Sequence, residues 1–186
     1  MYTFYRGDTR LPAAIRQANG FNAWIQLSTS QAQLLIKKAQ GQAVKDSEFP
    51  IKLVGALNGV EIKRALDLQT FIKYTKNKTT TPQVSTAYDE DCGGQANGKD
   101  ANGNRFVIYK IEYSNLYILD KQALREPNDK DFPHASPFPN VVINAATLDN
   151  ADVIAIKMKD ELAFLTSIPL DKIKQYKQYG GNWTDF

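Results

Sequence analysis

Cysteine is almost absent from this sequence: Cys92 is the only one in 186 residues, so no disulfide can form within the chain. The fold should therefore not depend on an oxidising compartment, and a lone thiol is more often structural than catalytic. Histidine is just as scarce. The single one, His134, lies in a proline-rich stretch without a neighbouring nucleophile motif, which argues against a catalytic triad built on histidine.

Long hydrophobic runs are missing as well. No apolar stretch approaches the roughly 18 residues that a transmembrane helix needs, and Arg6 and Asp8 interrupt the N-terminus where a signal peptide would carry its apolar region. We therefore expect no membrane partner and no signal peptide in this chain. With 42% hydrophobic and 23% charged residues, the composition is typical of a globular protein. The length suits one domain, residues 1–186, with a single core.

Strong charge of one sign is also missing. The net charge is +3, which is weaker than nucleic-acid-binding proteins usually carry. Small groups of lysines nevertheless occur at Lys73, Lys76 and Lys78, and at Lys172, Lys174 and Lys177. Such groups of lysines usually lie on solvated helix faces. They leave open one alternative, a non-enzymatic basic module that binds nucleic acid through its phosphates with strong salt dependence.

One polar stretch, Asp100-x-Asn102-x-Asn104, is superficially similar to a calcium loop. Arg105 stands where such a loop requires glycine, and no glutamate closes it. We therefore interpret this stretch as a turn stabilised by its Asp and Asn side chains, and we expect no metal site.

Helical patterns fill the first part of the chain. The spacing of apolar residues predicts helices over 11–18, with Pro12 at the first position, over 28–40, and over 60–76. Strand-forming patterns precede and follow them, at 3–6, 80–87, 105–119, 140–144, 152–157 and 161–167. Residues 170–179 are expected to form a short helix or turn, and 89–104 and 127–139 to form loops. Helices first and strands later indicate the α+β class.

The chemistry is concentrated in three motifs, of which the first is Tyr5-Arg6-Gly7-Asp8-Thr9-Arg10-Leu11-Pro12. It resembles the opening motif of the ADP-ribosyltransferases of the cholera and pertussis toxin type. In that family an aromatic residue and the pattern Arg-x-Asp-x-Arg lie on the first strand, and a proline opens the next helix. On its own, such a run more often indicates a charged edge strand with an internal ion pair.

The second motif, Val84-Ser85-Thr86-Ala87, resembles the Ser-Thr-Ser strand of the same family, with alanine in place of the last serine. A literal Ser28-Thr29-Ser30 also occurs. It follows Arg6 too closely to leave room for the helical layer that the family places between the two elements. We therefore interpret Ser28-Thr29-Ser30 as a helix cap.

The third motif, Lys159-Asp160-Glu161, is followed by Ile168-Pro169 and resembles the Glu-x-Glu segment of the family. Glu161 matches the catalytic glutamate. Lys159 stands where members that modify arginine have their first glutamate, so the resemblance does not extend to arginine as the acceptor. On a strand, residues two apart face the same way, and Lys159 and Glu161 are both candidate catalytic residues.

The resemblance implies an ADP-ribosyltransferase-like fold, with an N-terminal strand and helices followed by antiparallel strands that form a split β core. It also implies a single catalytic toxin or effector domain that consumes NAD and needs no metal. Its acceptor would be a macromolecule, a protein before RNA or DNA. Such a toxin is secreted or delivered, acts in the cytoplasm of a target cell, and can be neutralised by a cognate immunity protein.

The resemblance also implies roles for the matched residues. Glu161 would stabilise positive charge on the ribose of NAD, and Ser85 would hold its carboxylate by donating a hydrogen bond. Arg6 would anchor NAD through a phosphate or ribose oxygen. Asp8 and Arg10 would brace one another, or Arg10 would reach the cofactor itself. The remaining candidate NAD-binding residues are Thr86 and Tyr88, the latter as a stacking partner of nicotinamide. An NAD glycohydrolase, with water as acceptor, would use the same residues.

Overall fold

The computed structural model describes residues 1–92, 95, 97–119, 146–158 and 161–186. The predicted strand at 140–144, the loop at 127–139, His134 and Lys159 lie outside the described residues. Within them, the helices are α1 Pro12–Gln17, α2 Thr29–Ala39, α3 Ile51–Leu57 and α4 Ala65–Thr75. The strands are β1 Tyr2–Asp8, β2 Val84–Thr86, β3 Val107–Tyr113, β4 Leu116–Leu119, β5 Val153–Lys157, β6 Leu162–Phe164, β7 Ile173–Gln178 and β8 Thr184–Asp185. None of the described helices is long and apolar enough to cross a membrane.

The first two helices begin where local chemistry predicts. Pro12 is the first residue of α1, where its missing N–H costs no hydrogen bond. At the start of α2, the Ser28 hydroxyl accepts from the N–H of Gln31, and the Gln31 side chain accepts from the N–H of Ser28. This reciprocal pair is a capping box. The interpretation of Ser28 to Ser30 as a helix cap is confirmed.

The predicted helix over 60–76 is wrong in its first part, because α4 begins later. Its start is held by Asp67, whose carboxylate accepts from the N–H groups of Lys63 and Arg64 at 3.0 and 2.9 Å. The sequence pattern does not predict α3, which is too short to show a clear period. Asn58 and Gly59, with φ of 47° and 78°, end α3 and turn the chain.

The strands form two four-stranded sheets, with the orders β1-β3-β7-β8 and β2-β6-β5-β4. The first sheet is antiparallel throughout. In the second sheet β4 and β5 are parallel and the other pairs are antiparallel. The sheets meet where Tyr5 and Ala87 exchange backbone hydrogen bonds of 2.8 and 2.7 Å. The α+β class is confirmed, whereas the expectation of purely antiparallel strands is wrong for β4 and β5.

One strand prediction and one prediction of a helix or turn also need correction. The pattern over 105–119 is two strands, β3 and β4, which lie in different sheets; both are largely buried, so their apolar patterns run together in the sequence. The segment 170–179 is a single 3₁₀ turn, Leu170–Lys172, followed by β7. Of the residues of β7 only Ile173 is buried. Pairing with β3 and β8, rather than an apolar pattern, makes this segment a strand.

The second sheet lies between two hydrophobic cores, so the expectation of a single core is wrong. Along β5, Ile154 and Ile156 pack in a cluster with the helices α2, α3 and α4. Val153 and Ala155 pack in a cluster with β1 and β3 of the other sheet. Successive side chains of a strand face opposite sides, and the residues of β6 divide between the cores in the same way. Packing on both faces therefore holds the start of β6, and with it the preceding residue, Glu161.

Candidate active site

Three separated segments bring together the polar residues that sequence analysis singled out. Arg6 lies on β1, Ser85 is the central residue of β2, and Glu161 directly precedes β6. β2 and β6 are antiparallel neighbours, and the bridge between the sheets holds β1 beside the end of β2. The backbone pairing therefore determines that Arg6, Ser85 and Glu161 adjoin.

Glu161 is held by two side chains. The Ser85 hydroxyl donates to Oε2 of Glu161, and Nζ of Lys76 donates to the same oxygen at 2.8 Å. Only 13% of the Glu161 side chain is exposed. The hydrogen bond predicted between Ser85 and Glu161 is present, and together the two donors hold the carboxylate in one orientation.

Arg6 is fixed on several sides. Its Nη1 donates to the backbone oxygen of Ser85 at 2.7 Å, and its Nε and Nη2 donate to Oδ2 of Asp8 at 3.2 and 3.1 Å. Its Cζ lies 5.1 Å from the centre of the Phe21 ring, a favourable cation–π distance. Burial lowers the pKa of Arg6 from its ordinary value, and the charge of Asp8 opposes that shift. An arginine stays protonated in proteins, so Arg6 presents an oriented positive charge.

Asp8 braces both arginines of the first motif. Its Oδ1 accepts from the N–H and Nε of Arg10 at 3.0 and 2.9 Å, and its Oδ2 accepts from Nη2 of Arg10 at 2.7 Å. Burial acts to raise the pKa of Asp8, but the hydrogen bonds from Arg10 and the charge of Arg6 outweigh it, so the pKa lies below its ordinary value. Arg10 is 42% exposed and also lines the cleft. Its position is therefore compatible with both roles considered for it.

Thr86 and Tyr88 both have structural partners, and Thr86 also lines the cleft. The Thr86 hydroxyl donates to the backbone oxygen of Leu162 at 3.0 Å, which ties β2 to β6. The ring centre of Tyr88 lies 6.0 Å from that of Phe4, and Tyr88 packs against the core between the sheets. Among the described residues, Tyr88 is not one of those that line the cleft. The aromatic residues that do so are Tyr5, Trp24 and Phe106.

The structure places Lys76 beside Glu161, whereas the sequence pattern indicates only a solvated basic group at Lys76. Lys76 directly follows α4 as its C-cap residue, and 85 positions separate it from Glu161 in the sequence. No local pattern indicates such a pair, because the contact depends on how α4 packs against the second sheet. Lys159, the lysine expected beside Glu161, lies outside the described residues.

The cleft around these residues has two compartments. The first has a volume of about 360 Å³ and includes Glu161 in its lining. The second has a volume of about 590 Å³ and includes Arg10 and Trp24 in its lining. The residues that line both compartments are Arg6, Lys76, Asn77 and Ser85. The compartments are therefore adjacent and form one cleft, in which Arg6 and Lys76 are among the shared lining residues.

The first compartment has closely packed walls. A Cβ added to Gly7 would lie 3.3 Å from Oε1 of Gln95 and 3.5 Å from Cδ1 of Phe106, so a larger residue at this position would narrow the space. Cys92 also lines this compartment. Burial and the charge of Asp89 raise the pKa of the Cys92 thiol to about 12. The thiol is therefore protonated at neutral pH and is a poor nucleophile.

Within the described residues, no cluster of His, Cys, Asp or Glu side chains could hold a metal ion. Oδ1 of Asp100 accepts from the N–H groups of Asn102 and Asn104, both at 2.9 Å. The interpretation of this stretch as a turn is confirmed.

Comparison with known proteins leaves the family of the chain open. No protein-family model matches the chain, and no curated protein sequence matches it. The functional conclusion therefore depends on the chemistry that the arrangement of Arg6, Ser85 and Glu161 can support.

Proposed function

We propose that this protein is a mono-ADP-ribosyltransferase, which transfers ADP-ribose from NAD to a macromolecule, most readily a protein, and releases nicotinamide. One observation carries the proposal: the guanidinium of Arg6, the hydroxyl of Ser85 and the carboxylate of Glu161 converge on one cleft. They are the residue types that the resemblance to the cholera and pertussis toxin family assigns to NAD. The two sheets joined at Tyr5 and Ala87 are compatible with the split β core of that family.

The reaction explains why a fixed carboxylate is useful. The bond between C1′ of the ribose and the nicotinamide nitrogen breaks, and its electron pair leaves with neutral nicotinamide. The ribose then carries positive charge, as the sugar does in glycoside hydrolysis. A preorganised carboxylate stabilises that charge without reorganising, which is the role of Glu161. A nucleophile of the acceptor then bonds to C1′ and loses its proton.

The cleft also suits the shape and charge of NAD. The charged side chains among the described lining of the second compartment are Arg6, Arg10 and Lys76, all of them cationic, and the pyrophosphate of NAD is anionic. Trp24 is 67% exposed and offers a flat surface on which a base can stack. An elongated dinucleotide can thus place its nicotinamide ribose near Glu161 and extend into the second compartment.

Nicotinamide release from NAD tests the proposal. The Glu161→Gln variant preserves size and removes the charge, so the rate should fall by roughly 10²- to 10³-fold. Glu61→Gln is a matched control, because Glu61 is 66% exposed and pairs with Lys63; its rate should equal that of the wild type. Equal rates for wild type and Glu161→Gln, or no release by either, would contradict the enzyme assignment.

The acceptor is identified by a second experiment. The protein is incubated with NAD labelled in the adenylate part and a cell lysate, and protein, RNA and DNA fractions are counted separately. Label on protein supports the transferase as proposed. Label only in free ADP-ribose indicates an NAD glycohydrolase, and no NAD consumption with salt-dependent binding to nucleic acid indicates the basic binding module.

The biological setting follows from the proposed activity. We assign the transferase to a toxin or effector that is secreted or delivered and acts in the cytoplasm of a target cell. A producing cell that is exposed to such an activity needs protection, and a cognate immunity protein is the proposed partner.

A further inference from the structure

Lys76 binds the oxygen on which the proposed chemistry depends. Its Nζ lies 2.8 Å from Oε2 of Glu161, the oxygen that also accepts from Ser85. An ammonium group at this distance offsets much of the negative charge of the carboxylate. The transition state, by contrast, needs that charge beside the ribose. The contact between Lys76 and Glu161 therefore opposes catalysis.

Lys76 is well suited to exchange its partner. The side chain is 45% exposed, and an ion pair in contact with water is weak and easily exchanged. Lysine is also a long, flexible side chain whose charge can be approached from many directions. The neighbouring arginines are less free, because Arg6 and Arg10 are both bound to the buried carboxylate of Asp8.

The position of Lys76 identifies the chemical group that can replace Glu161. Lys76 and Arg6 line both compartments. A dinucleotide with its nicotinamide ribose at Glu161 and its other end in the second compartment brings its pyrophosphate to the residues that both compartments share, and these include the two cations. Phosphate oxygens form strong charge-assisted hydrogen bonds with an ammonium group.

We propose that Lys76 binds the pyrophosphate of NAD and thereby releases Glu161 for catalysis. This inference rests on the proposed function, since it deepens the account of the same cleft. Before NAD binds, the ammonium of Lys76 offsets the charge of the Glu161 carboxylate. When NAD binds, the pyrophosphate becomes the partner of Lys76, and the carboxylate regains its full charge while the ribose lies beside it. Lys76 thus recognises a diphosphate group and couples its binding to the activation of Glu161.

Two substitutions of Lys76 test this role. Lys76→Met preserves the length of the side chain and removes its charge, and Lys76→Arg preserves the charge. Lys78→Met is the matched control, because Nζ of Lys78 lies 3.5 Å from the centre of the Tyr74 ring and Lys78 is not among the described residues that line either compartment. Thermal unfolding of each variant verifies that the fold is intact.

Two measurements are made on each variant. Calorimetric titration with ADP-ribose, which carries the pyrophosphate and lacks nicotinamide, gives the affinity. Steady-state nicotinamide release gives KM for NAD and kcat. For Lys76→Met we expect about tenfold weaker ADP-ribose binding and about tenfold higher KM, the effect of losing one charge-assisted hydrogen bond. The kcat should stay within about twofold, because bound NAD displaces Lys76 from Glu161 in the wild type. Lys76→Arg and Lys78→Met should resemble the wild type.

The outcomes separate this inference from the proposed function. A Lys76→Met variant with reduced kcat but unchanged KM and ADP-ribose affinity contradicts the inference, because Lys76 then only positions Glu161. A wild type that binds ADP-ribose through Lys76 but does not release nicotinamide supports the diphosphate contact and contradicts the transferase. A wild type that releases nicotinamide and a Lys76→Met variant that matches it in every measurement contradict the inference and leave the transferase intact. A wild type that binds no ADP-ribose contradicts the inference directly.

Discussion

Replacement of Asp8 by asparagine tests whether the Asp8 carboxylate holds Arg6 and Arg10 in place, because it removes one charge and preserves the size of the side chain. The carboxylate accepts hydrogen bonds from Arg6 and Arg10 at 2.7 to 3.2 Å, and it is only 8% exposed. In the variant an amide group replaces one carboxylate oxygen and directs N–H donors at the N–H donors of the arginines. Two guanidinium groups then lie close together without a negative charge between them.

The expected cost follows from the burial of the pair. Removing one partner of a buried ion pair costs roughly 3–5 kcal/mol. Arg10 is 42% exposed and water can solvate it in the variant, so we expect the lower value, about 3 kcal/mol. For a chain of this length this lowers Tm by about 6–12 °C. Asp46→Asn is the matched control, because Asp46 is 63% exposed and pairs with Lys38 at 3.1 Å; it should cost less than about 1 kcal/mol.

The contribution of Asp8 to stability should also disappear in acid. Its folded pKa lies below the ordinary value of 3.8. The stabilisation is therefore complete above that value and is lost as the pH falls through the folded pKa. The difference in free energy of unfolding between wild type and Asp8→Asn, measured by urea denaturation, should be constant from about pH 7 to about pH 5 and shrink below about pH 4. The stabilising role of Asp8 would be refuted if Asp8→Asn lost no more free energy of unfolding than Asp46→Asn. It would also be refuted if the difference in free energy of unfolding between wild type and Asp8→Asn stayed unchanged in acid.

Two adjacent residues of β2 should respond differently to substitution. Ser85→Ala removes a hydrogen bond to the Glu161 carboxylate, worth roughly 1.5–3 kcal/mol, so kcat for nicotinamide release should fall by about 10- to 150-fold. Ser85→Thr retains the hydroxyl and should recover most of the rate. A full rate in Ser85→Ala would show that the hydrogen bond is dispensable. Thr86→Val removes the hydroxyl that donates to Leu162, so the free energy of unfolding should fall by about 1–2 kcal/mol while kcat stays within about twofold. A large loss of kcat in folded Thr86→Val would instead place that hydroxyl in the reaction.

Local features of the fold were predictable where a few neighbouring residues determine them. The capping box at Ser28 and the start of α1 at Pro12 involve contacts within one turn of a helix, and the sequence displays them directly. The segment that forms β7 was not predictable as a strand. Of its residues only Ile173 is buried, and its pairing with β3 involves residues far away in the sequence.

The candidate site was predictable to the extent that its residues belong to motifs. Arg6, Ser85 and Glu161 were selected by their resemblance to a family, and the structure brings them into contact. Tyr88 was selected by its position next to the Ser-Thr element, but its ring packs against Phe4. Adjacency in the sequence does not determine which side chains line a cleft, because neighbouring residues of an extended chain face opposite sides.

The sequence by itself determined which charged and polar groups are present and where α1 and α2 begin, because helix caps are local. It also offered Asp8 as a partner of Arg10, because both lie within one short stretch, and it left open a contact between Arg10 and the cofactor. Only the tertiary structure decided that Lys76 shares the Glu161 carboxylate with Ser85, and that Arg6 binds the backbone of Ser85. These contacts depend on the register of β2 with β6 and on where α4 ends. Packing between distant segments sets both, and local sequence patterns do not reveal it.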